Sequence, residues 1–211
     1  MTRERGGWQC KVLLHKGYVI KEPRTYEELR KKSYRWLKEY KRRNERQISE
    51  IAKECFDDIK KGKRLIKRSK IPGRYIGNPV FYKDGRVKQE RAITLGTKIH
   101  NLVKKGKIKE AEKIIDSFFD SIKVLWSYGL HEKPYKLNEN FGIIKDHVIL
   151  LDLFELTDSY DSVKKSLRRG INMDYRTLRW MVTKRMVPYY KKTARKTLNL
   201  KTLNECWKKN L

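Results

Sequence analysis

Nine apolar residues recur at helical spacing between Ile108 and Trp126, and no other stretch restricts the fold of this chain as much. Ile108, Ala111, Ile114, Ile115, Phe118, Phe119, Ile122, Leu125 and Trp126 form one broad stripe. A helix this apolar along one face has to be covered by other elements, because exposing that face would forfeit the burial that makes folding favourable. Gly129 marks its C-terminal stop, because glycine readily takes the left-handed conformation that commonly ends a helix. The rest of the chain is therefore expected to pack around a buried central helix. With 38% apolar and 11% aromatic residues, 211 residues can build such a core as one substantial domain or two small lobes.

Upstream of that helix the pattern changes from period 3.6 to period two. Lys11–Leu14, the turn His15-Lys16-Gly17 and Tyr18–Lys21 read as a first hairpin whose second strand Pro23 ends. Tyr26 to about Lys61 is helical in composition. Its second half is strongly amphipathic, with Ile48, Ile51, Ala52, Cys55, Phe56 and Ile59 on one face, and a basic loop with Pro72 and Gly73 follows. Pro79–Tyr82, the turn Lys83-Asp84-Gly85 and a strand from Arg86 towards Ile93 read as a second hairpin. A third covers Asn140 to Asp152. From about Ser162 the chain is helical again, with Leu178, Met181, Val182 and Met186 on one face and an interruption at Pro188. The order predicts an α+β fold with a small antiparallel sheet plus long helix in residues 1–92 and a mostly helical part in 93–211, the latter ending in a basic tail at 162–211.

Charge and cysteine usage narrow the setting. Lys and Arg number 53 against 25 Asp and Glu, a formal net charge of +28. A field of that size attracts polyanions: nucleic acid, anionic headgroups at a membrane surface or phosphorylated sugars. The excess is uneven. Seven of the eleven residues from Lys60 to Lys70 are basic, as are fifteen from Val163 to Leu211, where only Asp174 and Glu205 oppose them. No run of 18 apolar residues exists, so no membrane span is expected, and Met1–Trp8 lacks an apolar signal region. Cys10, Cys55 and Cys206 are far apart, odd in number and not in metal-ligand spacing, which predicts reduced thiols and a cytoplasmic setting.

Three features carry chemistry. Chain reversal across the hairpin brings Asn140 and Asp152 to one end, where one oxygen from each can hold a divalent cation such as Mg²⁺; an ordinary core hairpin with polar ends is the alternative. Lys21 ends a strand on which Val19 shares its face, a pair suited to covering a base and reaching phosphate. A lysine partly withdrawn from water needs a carboxylate partner. Of Glu39, Glu45, Glu50 and Glu54, only Glu45 lies beside the apolar stripe, with Ile48, Ile51 and Ala52 following at i+3, i+6 and i+7.

Taken in chain order, Val19-Ile20-Lys21, the long helix, Gln89-Glu90-Arg91-Ala92, the central helix and Asn140–hairpin–Asp152 resemble the protein-kinase-like fold. The small size is most similar to the bacterial YrbL-like and lipopolysaccharide-kinase-like branches. The resemblance covers roughly residues 8 to 160. It implies two lobes joined at Gln89–Ala92, with ATP held by Val19, Lys21 and Glu90, and Mg²⁺ held by Asn140 and Asp152. Lys21, Glu45 and Asp152 would be the catalytic set. It also implies an anionic acceptor such as a lipopolysaccharide sugar, and a position that is cytoplasmic or peripheral at the inner membrane surface. The departures are as informative. No G-x-G-x-x-G precedes Lys21, and the position five residues before Asn140, where these enzymes carry a loop aspartate, is Tyr135. Glu132 and Glu139 are the loop carboxylates that could substitute for it, and the spacing singles out neither. A catalytically impaired pseudokinase, or a basic module that grips nucleic acid through Trp180, Tyr189, Tyr190, Trp207 and their neighbouring cations, is the competing expectation.

Overall fold

A computed structural model describes residues 3–169 and 183–210. Five antiparallel strands form the first sheet: β1 (Arg3–Gly6), β2 (Cys10–Leu14), β3 (Tyr18–Pro23), β4 (Val80–Phe81) and β5 (Val87–Glu90), in the order β1-β2-β3-β5-β4. The first expected hairpin is β2–β3, with Val12 opposite Lys21, and the second is β4–β5 around the Asp84-Gly85 turn. β3 pairs with β5 so that Lys21 faces Val87 and Val19 faces Gln89. Lys21 thus lies on an inner strand of the sheet, where its backbone cannot slide.

The region read as one long helix is two. α1 (Tyr26–Glu39) begins with a capping box in which Thr25 and Glu28 satisfy each other's backbone donors. α2 (Glu45–Ser69) begins with a second one, between Asn44 and Gln47. Arg42, at φ +49°, turns the chain between them. α2 also runs eight residues past Lys61, through what the sequence suggested was a basic loop. Gly62, Leu65, Ile66 and Ser69 are buried and continue the stripe of Ile48, Ala52 and Ile59, so the many lysines there occupy the outer face of a packed helix. The helix ends at Lys70 in a left-handed conformation.

The chain leaves the first sheet at Glu90, and β6 (Ile93–Thr94) pairs instead with the strand at Phe141–Ile144. α3 (Leu95–Lys104) and α4 (Ile108–Ser127) follow. α4 is the central helix: Ala111, Ile114, Ile115, Phe118, Phe119, Ile122, Leu125 and Trp126 are all buried. Phe118 packs edge-on against Phe141 at 4.9 Å, and Phe119 lies 5.2 Å from Tyr190. Losing such an aromatic typically costs ~3–5 kcal/mol. Gly129, at φ +65°, lets its own N–H and that of Leu130 fold back onto the Trp126 and Leu125 carbonyls.

After Gly129 come β7 (His131–Glu132) and α5 (Leu137–Asn140), then β8 (Phe141–Ile144), β9 (His147–Leu150) and β10 (Leu156–Thr157). β8 and β9 form the third expected hairpin, turning at Lys145-Asp146, while β7 pairs with β10. The tail holds α6 (Tyr160–Arg169), α7 (Val187–Thr197) and α8 (Leu200–Cys206). α7 and α8 pack on α4. Met186 is buried as expected, while Leu178, Met181 and Val182 lie outside the described residues. The fold is mixed α+β with small antiparallel sheets. No helix among the described residues is long and apolar enough to cross a membrane.

Candidate functional site

A cleft of about 640 Å³ lies between the first sheet and the end of the β8–β9 hairpin. Val12, Leu14, Val19 and Lys21 line it from the sheet, residues 89–94 along its back, and Asn140, Leu151, Asp152 and Glu155 from the opposite side. Val19 and Lys21 share the inward face of β3, and both are buried. The Lys21 ammonium donates to the carbonyl of Leu151, the residue just before Asp152. Lys21 and Asp152 also both act on the thiol of Cys10, which burial pushes above its ordinary pKa. Gln89 seals the back of the cleft. Its amide donates to the Ile76 carbonyl at 2.8 Å and the Leu150 carbonyl at 3.0 Å, tying the first sheet to the hairpin. Glu90 lines the edge, where its carboxylate accepts from Asn78 at 2.9 Å.

Asn140 and Asp152 do meet. The Leu151 and Asp152 N–H groups donate to the Asn140 carbonyl at 2.7 and 3.3 Å, closing the open end of the hairpin. The side-chain amide of Asn140 donates to Glu132 at 2.6 Å and to Glu155 at 3.0 Å. With the nitrogen end of the amide turned to these two carboxyl groups, its oxygen is the atom left for a cation. Asp152 uses one carboxylate oxygen to accept from the Phe154 N–H at 3.0 Å, which leaves the other. The donor set is thus one amide oxygen and one carboxylate oxygen. That suits Mg²⁺, which takes few protein ligands and completes its shell with water and phosphate. Among the described residues no three His, Cys, Asp or Glu side chains gather as a denser metal cluster.

Glu45 does not join this group, and the expectation that it faces Lys21 is corrected. The break at residues 40–44 makes Glu45 the first residue of α2, at the exposed end of the helix. Its carboxylate pairs with Arg30 at 3.4 Å and Lys38 at 3.5 Å, both on α1. Those cations hold its carboxyl below the usual range, after the larger effect of a hydrogen bond from Tyr34. The α2 carboxylate that reaches the site's surroundings is Asp58. It takes both oxygens to the Lys133 ammonium, at 2.7 and 2.8 Å. One turn further on, Gly62 presses its Cα face onto Leu153 and Phe154, where a Cβ would collide with backbone. α2 therefore braces the segment that carries Asp152.

The loop from His131 to Glu139 is arranged differently from its sequence promise. Tyr135 adopts φ +53° and is buried against the His131 ring at 4.6 Å, away from the cleft. His131 is a core residue: Trp126 donates to its Nδ1 at 2.9 Å, and burial lowers its pKa to about 3. Glu132 is fully buried beneath Asn140. Burial raises its pKa to about 8, opposed by the bonds from Asn140 and the Lys136 N–H and reinforced by Glu155 and Asp152. Glu139 lines the cleft but is exposed. Sequence reasoning missed Glu155. It lines the cleft with Asp152, and its carboxylate lies 3.4 Å from the Lys136 ammonium as well as on Asn140. Only the Asp152 turn and the β7–β10 pairing bring it back to Asn140, and neither is visible in sequence.

The tail aromatics serve packing. Tyr190 is fully buried, Trp207 packs edge-on against Tyr160, and the Tyr189 hydroxyl donates to Asp116 at 2.8 Å; Trp180 lies outside the described residues. Cys10, Cys55 and Cys206 are free thiols. Comparison of the chain with protein-family models, with curated proteins and with solved structures returns no match.

Proposed function

We propose that this protein is a two-lobed, kinase-like phosphotransferase that binds ATP with Mg²⁺ in the cleft and phosphorylates an anionic acceptor, such as a lipopolysaccharide sugar or another phosphorylated saccharide. The lobes are residues 1–92 and 93–211, meeting at the segment that follows Gln89. The observation that carries the reading is the placement of Lys21 on an inner strand, bonded to the carbonyl of Leu151, the residue before Asp152, in the cleft that Asn140 also lines. Phosphoryl transfer depends chiefly on positioning and electrostatics, and an ammonium facing a two-oxygen metal pair supplies both. Val12, Leu14 and Val19 offer an apolar wall for a base. Cations lining the cleft are Lys21, Arg91 and Lys136; anions are Glu90, Glu139, Asp152 and Glu155. Polyphosphate alone would meet net repulsion there, so a divalent cation is part of the binding requirement. The net charge of +28 draws the anionic acceptor.

A second reading, a pseudokinase that binds nucleotide without turnover, is favoured by one observation: Tyr135 occupies the loop position and turns its side chain into the core. Thermal stabilisation by ATP, with and without Mg²⁺, tests the shared part of both readings. Wild type at ligand near 100 times Kd should gain about 2.7 kcal/mol. Asp152→Ala should lose the Mg²⁺-dependent part and Lys21→Met most of the remainder. Absence of any shift in wild type would remove both readings.

A further inference from the structure

Four carboxylates line the cleft, and their partners separate them. Glu90 is engaged by Asn78. Asp152 is divided between the Phe154 N–H and the metal position. Glu139 is exposed. Glu155 is oriented and open beside Asn140 and Asp152, whereas Glu90, also exposed, is held by Asn78 at the cleft edge. Its side chain is 24% exposed, one of its oxygens accepts from Asn140, and the Lys136 ammonium lies 3.4 Å from that oxygen. Its other oxygen has no partner among the described residues.

Glu132 occupies a comparable place on Asn140 but cannot substitute for it. It has no exposed surface and no route to an incoming hydroxyl.

On the reading that the cleft binds ATP with Mg²⁺, we propose that Glu155 is the catalytic carboxylate that orients the acceptor hydroxyl and takes its proton. The step balances as a direct transfer. The acceptor oxygen forms a bond to the γ-phosphorus while the bond from that phosphorus to the β–γ bridging oxygen breaks. Nucleoside diphosphate leaves with the bridging oxygen, and the hydroxyl proton passes to Glu155 and on to solvent. Lys136, beside the same carboxylate, lies where it can neutralise charge on the transferred group. The carboxylate that the loop lacks at Tyr135 is thereby supplied from three residues beyond Asp152, by a different part of the backbone.

The test pairs nucleotide affinity by calorimetry with phosphate release from ATP and Mg²⁺, water serving as acceptor, in wild type, Glu155→Gln, Glu155→Asp and Glu139→Gln. Thermal unfolding checks that each variant is folded. Positioned proton transfer is typically worth about 10²–10⁴ in rate, so Glu155→Gln should keep ATP affinity within about threefold and lose at least about 100-fold in kcat. Glu155→Asp should recover part of that loss, because it restores the charge at a shorter reach. A kcat for Glu155→Gln within about threefold of wild type overturns the proposal. So does a loss that falls on Glu139→Gln instead, or a loss of affinity as large as the loss in kcat, which would mark Glu155 as a structural contact. Wild type that binds ATP but releases no phosphate overturns the catalytic role and leaves the nucleotide site standing. Wild type that binds no ATP overturns the site itself.

Discussion

Glu132 and Glu155 accept hydrogen bonds from the same Asn140 amide, yet they lie in two different media. Glu132 stands on β7 under the cleft floor with no exposed surface, and burial pushes its pKa to about 8. Glu155 stands on the cleft wall, a quarter exposed, with a lysine beside it. A buried carboxyl is most stable neutral, because desolvation penalises the charged form. A wall carboxyl group remains within reach of a ligand. The pair shows how one amide can join a buried acid to an open one: the floor fixes the amide, and the amide fixes the wall.

Removing the amide should have the largest effect. Asn140→Ala takes the shared donor from both carboxyl groups and one oxygen from the proposed Mg²⁺ site. It is expected to abolish Mg²⁺-dependent stabilisation by ATP and to cost about 1–3 kcal/mol in denaturant unfolding. If Mg²⁺-dependent stabilisation persists, the two-oxygen site is wrong.

The floor can be tested by pH. Glu132 has a folded pKa raised above its unfolded value, so its contribution is fully present below the unfolded pKa and is lost as pH rises towards about 8. His131 is opposite in sign: its folded pKa is depressed to about 3, so its contribution is present above its unfolded value near 6.5 and lost as pH falls. Between about pH 6.5 and 8 only Glu132 of the two still changes. Wild type should therefore lose stability relative to Glu132→Gln across that window. Parallel curves for the two proteins would show that Glu132 is not held neutral.

Two smaller effects sharpen the contrast along α2. Asp58 binds Lys133 with both oxygens at partly buried positions, and Asp58→Asn should cost about 1 kcal/mol in a double-mutant cycle with Lys133→Met. Glu45 pairs only at the surface, so Glu45→Ala should cost less stability than Asp58→Asn and leave nucleotide affinity unchanged. A Glu45→Ala variant with weakened ATP binding would restore the pairing with Lys21 that this structure replaces.

The hairpins and the central helix were legible in sequence because each is written in local periodicity. Val19 and Lys21 alternate on a strand, Asp84-Gly85 turns one hairpin, and Asn140 and Asp152 end another. The error at Glu45 has an equally local cause. Glu45 keeps its phase relative to Ile48, Ile51 and Ala52, but Asn44 with Gln47 starts the helix at Glu45 and leaves it in an exposed first turn beside α1. The capping box itself was present in the sequence, and weighing it would have placed Glu45 in a first turn.

Periodicity and turn chemistry by themselves determined the elements, their order and the meeting of Asn140 with Asp152. These depend on neighbours a few residues apart, and the chain carries that information directly. Tertiary structure decided the rest: the inward turn of Tyr135, the sealing of Glu132, the bond from Asp58 to Lys133, and the return of Glu155 to Asn140. Each depends on which surfaces meet across long separations and on how much water remains between them. Burial and distance of that kind are properties of the packed molecule, and they separate two carboxylates that the sequence writes with the same letter.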